Sequence, residues 1–219
     1  MTAILHSSAR ILFVGNSYTS RNNLPRLIAG LAASTEPPTS LHVEAIVAGG
    51  ASLKRHWNAG LVQKALQTAA WDYVVLQEQS TLPLKNPTRY HENVRRFDPE
   101  IKKHGAKTAL YLTWARQQAP ESQHGIDDAV AAIAGQIGAL VVPVGPAWQE
   151  AMNEAPGVRL YVEDGSRPSA AGSYLSACVF HVRFFDRPPS GSTVSESLKV
   201  EGATATMLEN IAWRFRVRH

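Results

Sequence analysis

Apolar positions along the chain follow two rhythms. Short runs rich in β-branched residues occur at Ile11 to Val14, Leu41 to Val47, Tyr73 to Leu76, Ala109 to Leu112 and Leu140 to Val144, as expected of buried strands. Between them apolar residues return every three or four positions, at Leu24, Leu27, Ile28 and Leu31, at Leu61, Ala65 and Leu66, and at Val130, Ile133, Ala134 and Ile137. That spacing lines one side of a helix. Strand and helix therefore alternate, which predicts an α/β protein with five parallel strands covered by helices on both faces. After the last strand the pattern is helical: Tyr174, Cys178, Val182 and Phe185 form one stripe, and Met207, Ile211 and Phe215 another. Two further helices are predicted there, packed on the outer layers. Asp186 to Ser195, with Pro188, Pro189 and Gly191, reads as a surface connection, because the chain beyond it is too short for a second core. Residues 1–219 are thus expected to form one domain.

Composition changes this picture little. Of 219 residues, 44% are hydrophobic and 18% charged, and Gly and Pro are scattered. Such a chain, once folded, removes roughly 70% of its unfolded surface from water. The formal charge of +4 comes from basic residues interspersed with acidic ones, which argues against a nucleic-acid surface. The densest basic run, Arg214, Arg216, Arg218 and His219, ends the last predicted helix, where cations complement the helix dipole. Cys178 is the only cysteine, which excludes an internal disulfide and a cysteine-rich metal site. No apolar run has the length of a membrane span, and no leader pattern opens the chain. The expected location is the cytoplasm, or outside it after removal of a leader.

Open parallel sheets bind ligands beyond the carboxyl ends of their strands, and four segments there carry candidate chemistry. Gly15-Asn16-Ser17-Tyr18 follows the first strand and precedes a helix starting near Asn23. A serine in this place has donors nearby that favour developing negative charge, although the same residues also make an ordinary turn. Ala48-Gly49-Gly50-Ala51-Ser52 follows the second strand. Glycine there lets backbone N–H groups approach a ligand oxygen, while Ser52 fits a helix cap. Gln77-Glu78-Gln79-Ser80 gathers amides and a carboxylate after the third strand. Asp164-Gly165-Ser166-Arg167-Pro168-Ser169 precedes the helix containing Tyr174. Without a further role, Ser169 is a cap and Asp164 with Arg167 an exposed ion pair. Tyr18 and Trp114, also after strands, either line a pocket or cap the core.

Taken together, "ILFVGNSYTSRNNLP", "GGASLKRHW", "WDYVVLQEQS", "LYLTWA" and "DGSRPSAAGSYLSACVF" resemble, in order and spacing, the blocks of the SGNH (GDSL-like) hydrolase superfamily. The likeness runs from about Ile11 to His181 and is closest to a bacterial branch of it. It implies a flavodoxin-like three-layer α/β/α fold and hydrolysis of esters, often of acetyl or other short acyl groups. Ser17 takes the position of the family's nucleophile. The N–H groups of Ser17 and Gly50 and an amide side chain take the positions of the oxyanion hole. That amide is usually an Asn in Gly-x-Asn-Asp; here Gln79 matches it, with Gln77 as the neighbouring choice. Asn16 is a further substrate-binding candidate.

The last family block reads Asp-x-x-His, whereas this chain has Asp164-Gly165-Ser166-Arg167. A guanidinium stays protonated and has no acceptor lone pair, so Arg167 cannot take a serine proton. Losing such a base costs about 10⁶ in turnover, roughly 8 kcal/mol of barrier. His181 is excluded as a substitute, since it lies about 18 Å beyond Ser169 along the same predicted helix. His56, after the Gly50 turn, is weighed against a packing role beside Trp57. Three accounts of Arg167 remain: a member that lost its base, a single His-to-Arg replacement in an otherwise enzymatic scaffold, and a site turned to holding an anion. The intact remainder of the block favours the second.

The leading expectation is therefore a serine esterase or deacylase acting on a small-molecule or carbohydrate acyl ester, with activity impaired at Arg167. No metal and no organic cofactor is expected, because no histidine pair has zinc spacing and no phosphate loop or dinucleotide fingerprint occurs. The competing class is a non-catalytic anion- or carbohydrate-binding protein on the same scaffold. A third, partner or nucleic-acid binding through the basic carboxyl terminus, has only that short run behind it. No heptad pattern designates an oligomer interface.

Overall fold

A computed structural model describes residues 8–189 and 193–216. Strands β1 (Ser8–Gly15), β2 (Ser40–Val47), β3 (Tyr73–Leu76), β4 (Lys107–Leu112) and β5 (Leu140–Pro143) form a parallel sheet in the order β2-β1-β3-β4-β5. Between β1 and β2 lie α1 (Ser17–Ser20) and α2 (Leu24–Ser34), and between β2 and β3 lie α3 (Leu53–Ala59) and α4 (Leu61–Thr68). Helices α5 (Leu82–Lys85) and α6 (Pro87–Lys103) precede β4, and α7 (Gln123–Ile137) precedes β5. The chain ends with α8 (Val144–Glu154), α9 (Ala170–Phe185), α10 (Thr193–Ser197) and α11 (Gly202–Arg214). This is the expected three-layer α/β fold with a flavodoxin-like strand order.

Because side chains alternate across a strand, the two sheet faces build separate cores. Ile11, Phe13, Tyr73, Val75, Ala109, Tyr111 and Val142 pack with α2, α8, α9 and α11. Leu12, Val14, Val74, Leu76, Leu110 and Leu112 pack with α3, α4, α6 and α7. The parallel register places Phe13 beside Ala45 and Val75, and Val75 beside Ala109.

Three expectations need correction. Not all five strands are buried: β2 is an edge strand with its polar residues Ser40, His42 and Glu44 exposed, while Leu41 and Val43 pack inward. The fifth strand stops at Pro143, and Val144 opens α8 directly. Helix α9 is not an outer helix. It is buried nearly all round, with Phe180 against Phe13 and Tyr111 and Phe184 against Tyr73. Helix α11 then covers it on the same face, joined by Tyr174 Oη donating to Glu209 Oε1 at 2.5 Å. The last helix ends in the basic run as expected, with Arg214 in the final turn of α11, and Arg214 also reaches back to Glu150 and Glu154 of α8 and fastens the two helices together. Arg218 and His219 lie outside the described residues, as does Gly191 in the predicted connection.

The core of α9 also holds His181, fully buried with no hydrogen-bond partner among the described residues for either ring nitrogen. Burial, with Arg187 adding to it, lowers its pKa from 6.5 to about 4. The unfolded chain therefore binds this proton more readily, so stability is intact above pH 6.5 and is lost as pH falls through the interval down to about 4. At about 1.4 kcal/mol per unit, the loss approaches 3 kcal/mol. His181→Leu should remove that increment: denaturant curves at pH 7 and pH 4 should draw together by this amount relative to the unaltered chain. Equal acid sensitivity of the two chains would disprove it.

Candidate active site

The strand order reverses direction between β1 and β3, and loops leaving their carboxyl ends diverge there into a crevice. A cavity of about 300 Å³ occupies this position. Ser17, Gly50, Gln79, Asp164 and Arg167 all line it, as do Asn16 and Ser166. The segments anticipated from the sequence thus meet at one rim. Each is held there by identifiable bonds.

Gly15 ends β1 where a side chain has no room, since a Cβ would fall 2.5 Å from Gln77 Oε1 and 2.6 Å from Thr19 Oγ1. The following Asn16 is buried and caps α1: its Oδ1 accepts from Tyr18 N at 3.1 Å and its Nδ2 donates to Ala51 O at 3.1 Å. Its amide is thus spent within the scaffold, and Ser17 beyond it presents an Oγ without a hydrogen-bond partner among the described residues. Gln77 lies beneath the cavity, fully buried. Its Oε1 accepts from Asn16 N at 2.8 Å and Thr19 Oγ1 at 3.0 Å, and its Nε2 donates to Glu78 O. Gln77 therefore shapes the serine loop and does not face the cavity.

Gln79 does. Its Oε1 accepts from both the N–H and the hydroxyl of Thr81 at 3.0 Å, which fixes the amide orientation and leaves Nε2 to donate. Gly50 adopts φ +62° in a turn closed by Ala51 N donating to Ala48 O at 3.1 Å, a conformation open to glycine. Ser52 then caps α3 through Arg55 N.

Glu78 joins these two loops from below. Its Oε1 accepts from Leu53 N at 3.0 Å and from Gln79 N at 2.7 Å, and its Oε2 accepts from Asn93 Nδ2 at 2.8 Å. Burial raises its pKa despite these three donors. One carboxylate thus sets the spacing between the Gly50 turn and Gln79, a role the sequence did not signal.

Asp164 is organised by its own loop. Its Oδ1 accepts from the N–H groups of Ser166 and Arg167 at 2.9 and 2.8 Å, and its Oδ2 accepts from Arg167 Nε at 2.5 Å. Desolvation, the largest single influence, opposes ionisation, but the Arg167 and Ser166 donors and the guanidinium charge together outweigh it and hold the carboxyl at about 2. Ser169 caps α9 through Gly172 N. The loop is tied to the serine side by Tyr18 Oη and Ser166 Oγ at 2.7 Å.

No described histidine lines this cavity. His56 is buried under it, with Nε2 donating to Gly15 O at 2.8 Å and burial lowering its pKa. It supports the end of β1, which is the packing role set against catalysis. His181 is remote on α9. Tyr18 and Trp114 are both almost fully buried and stack at 4.7 Å, and Trp114 stacks on Trp148 at 3.7 Å. Of these only Tyr18 lines the serine cavity, with Trp114 stacked behind it. Among the described residues, no group of three His, Cys, Asp or Glu could hold a metal ion.

Arg116, after β4, also lines the cavity and went unnoticed in the sequence; its place beyond a strand's carboxyl end was the available signal. A larger depression, about 1010 Å³, is a neighbouring groove that shares only Asp164 and Arg167 with the serine cavity. The Ser17 hydroxyl and the convergent donors Gly50 and Gln79 line the smaller space.

No family model matches the chain, and no curated protein matches it. Solved structures do. A protein described as a candidate SGNH hydrolase from Slackia heliotrinireducens shares 32% identity and a TM-score of 0.69, over 80% of this chain and 98% of its own. An acetylxylan esterase from Geobacillus stearothermophilus has 16% identity and a TM-score of 0.66, over 85% and 97%. A protein described as a candidate GDSL-like lipase from Parabacteroides merdae has 14% identity and a TM-score of 0.68, over 84% and 99%. The latter two are alike in fold alone. With the first, alike in sequence along nearly its whole length, they show that this chain belongs to the SGNH hydrolases.

Proposed function

We propose that the chain is built as an ester hydrolase that works through an acyl-serine, with Ser17 as nucleophile, on a small-molecule or carbohydrate acyl ester. The reading rests on one observation: Asp164 Oδ2 grips Arg167 Nε in the cavity that also holds the free Ser17 hydroxyl. An Asp that orients a nitrogen-bearing side chain toward a serine is the arrangement of a catalytic triad. Arg167 then stands where the family has its general base. The acetylxylan esterase among the fold neighbours supports an acyl ester as the substrate class.

In this scheme Ser17 Oγ bonds to the ester carbonyl carbon while its proton departs. The oxyanion so formed is met by the N–H groups of Ser17 and Gly50 and by Gln79 Nε2. Collapse expels the alcohol with a proton, and water then cleaves the acyl-serine to free acid and serine. With arginine at 167 the serine proton has only water to receive it, so turnover is slow. A histidine at 167 would donate Nδ1–H to Asp164 and turn its other nitrogen to Ser17.

Labelling tests the nucleophile. Fluorophosphonate should modify Arg167→His protein at Ser17, as located by peptide mass, at least about 100-fold faster than the unaltered chain. Ser17→Ala in the histidine background should abolish the label. Modification at another residue, or none in the histidine form, would refute the assignment.

A further inference from the structure

A second hollow, of about 190 Å³, opens beside the serine cavity between α5 and the start of α7. Ser80 and Arg116 line both spaces, so the two adjoin. Its floor is apolar, made by Leu84, Trp114, Ala115 and Ile126. Leu84 is 41% exposed, one of three large apolar side chains so exposed among the described residues. Its placement is specific: Leu84 lies over Gly125 of α7, where a Cβ would come within 2.7 Å of its Cδ1. A larger residue at 125 would push this wall inward.

The charge of the hollow is one-sided. Arg116 and Lys85 line it, and no Asp or Glu does. Neither cation has an ion-pair or side-chain hydrogen-bond partner among the described residues. In the serine cavity the one lining carboxylate, Asp164, is already committed to Arg167. Arg116 therefore brings an uncompensated positive charge to the junction of the two spaces, next to an apolar floor. A ligand that satisfies both has an apolar stem and an anionic end.

We propose that the hollow receives the acyl group of the substrate and that the preferred acyl chain is short and ends in a carboxylate, held by Arg116 and Lys85. The hollow, about 190 Å³, gives room for an acyl chain of a few carbons that ends in a carboxylate. The assignment rests on Ser17 as nucleophile, and hydrolysis would release the dicarboxylic acid and the alcohol.

Two p-nitrophenyl esters of equal chain length test it in the Arg167→His protein: the hexanoate and the monoester of adipic acid, which differ in a terminal methyl or carboxylate. The expected kcat/KM ratio is at least about 10 in favour of the adipate at low salt, shrinking as salt screens the charges. The Arg116→Gln, Lys85→Gln double variant should bring that ratio to about one, through KM more than kcat. A ratio below one, or one that the double variant leaves in place, overturns the proposal. If the histidine form cleaves neither ester, the nucleophile assignment fails separately. Titration of the unaltered chain with adipate and hexanoate by NMR then decides the hollow: stronger binding of adipate, lost in the double variant, supports it, and equal or absent binding rejects it.

Discussion

Arg167→His is expected to raise hydrolysis of p-nitrophenyl acetate by at least about 10³-fold, within the roughly 10⁶ that separates a complete serine triad from one lacking its base. The expectation comes from what is already built. Asp164 is held ionised by backbone and side-chain donors and points Oδ2 at the side chain of residue 167. The serine hydroxyl is unencumbered, and Gly50 and Gln79 are fixed on the same rim. A single substitution therefore supplies the missing acceptor without moving the loop. The gain should show a pH profile that rises through the imidazole range, since only the neutral ring accepts a proton. Ser17→Ala on top of it should return activity to background. No gain in a folded histidine protein would mean that residue 167 does not face the reacting serine.

Glu78→Leu is expected to cost about 3 to 5 kcal/mol of stability. The change preserves volume but leaves the N–H groups of Leu53 and Gln79 and the Asn93 amide without their acceptor, at roughly 1 to 3 kcal/mol for each buried orphan. Because those N–H groups belong to the loops carrying Gly50 and Gln79, the proposed oxyanion donors should drift as well. In the Arg167→His background kcat should fall about 10²-fold with little change in KM, as for loss of a donor used in the transition state. Glu78→Gln keeps an oxygen for both N–H groups and should retain most of the stability and activity. Denaturant unfolding and steady-state rates measure both effects. A Leu variant within 1 kcal/mol of the parent would show that the carboxylate bridges nothing of consequence.

Much of this architecture was legible because parallel strands buried on both faces appear as plain apolar runs. The loops after them stood out for the same reason. Misreadings cluster where a local pattern has two outcomes. Val144 continues the apolar run of β5 yet begins a helix, since no polar linker separates the two. Helix α6 escaped notice under its charges and Pro99, although Tyr90, Val94, Phe97 and Ile101 keep helical spacing. Gln79 was the matching position and Gln77 its neighbouring choice, and the geometry after the strand turns Gln77 inward and Gln79 to the cavity. His56 could be judged only by what its ring nitrogen touches. Glu78 and Arg116 both stand just beyond strand ends, but the roles they take could not be read there, because bridging two loops and lining a junction are relations among distant segments.

The aromatic stack under the site has a consequence for how a ligand enters. Tyr18, Trp114, Trp148 and Tyr161 form a continuous column. Its outer members are anchored, Tyr18 Oη to Ser166 Oγ and Tyr161 Oη to Ala115 O at 2.8 Å, while Trp114 Nε1 donates to Ser166 O at 2.9 Å. Swinging the Asp164 segment aside would mean breaking these bonds and parting buried rings. Admission without rearrangement follows: the crevice stands ready before any guest arrives, and discrimination falls to the fixed donors at its mouth.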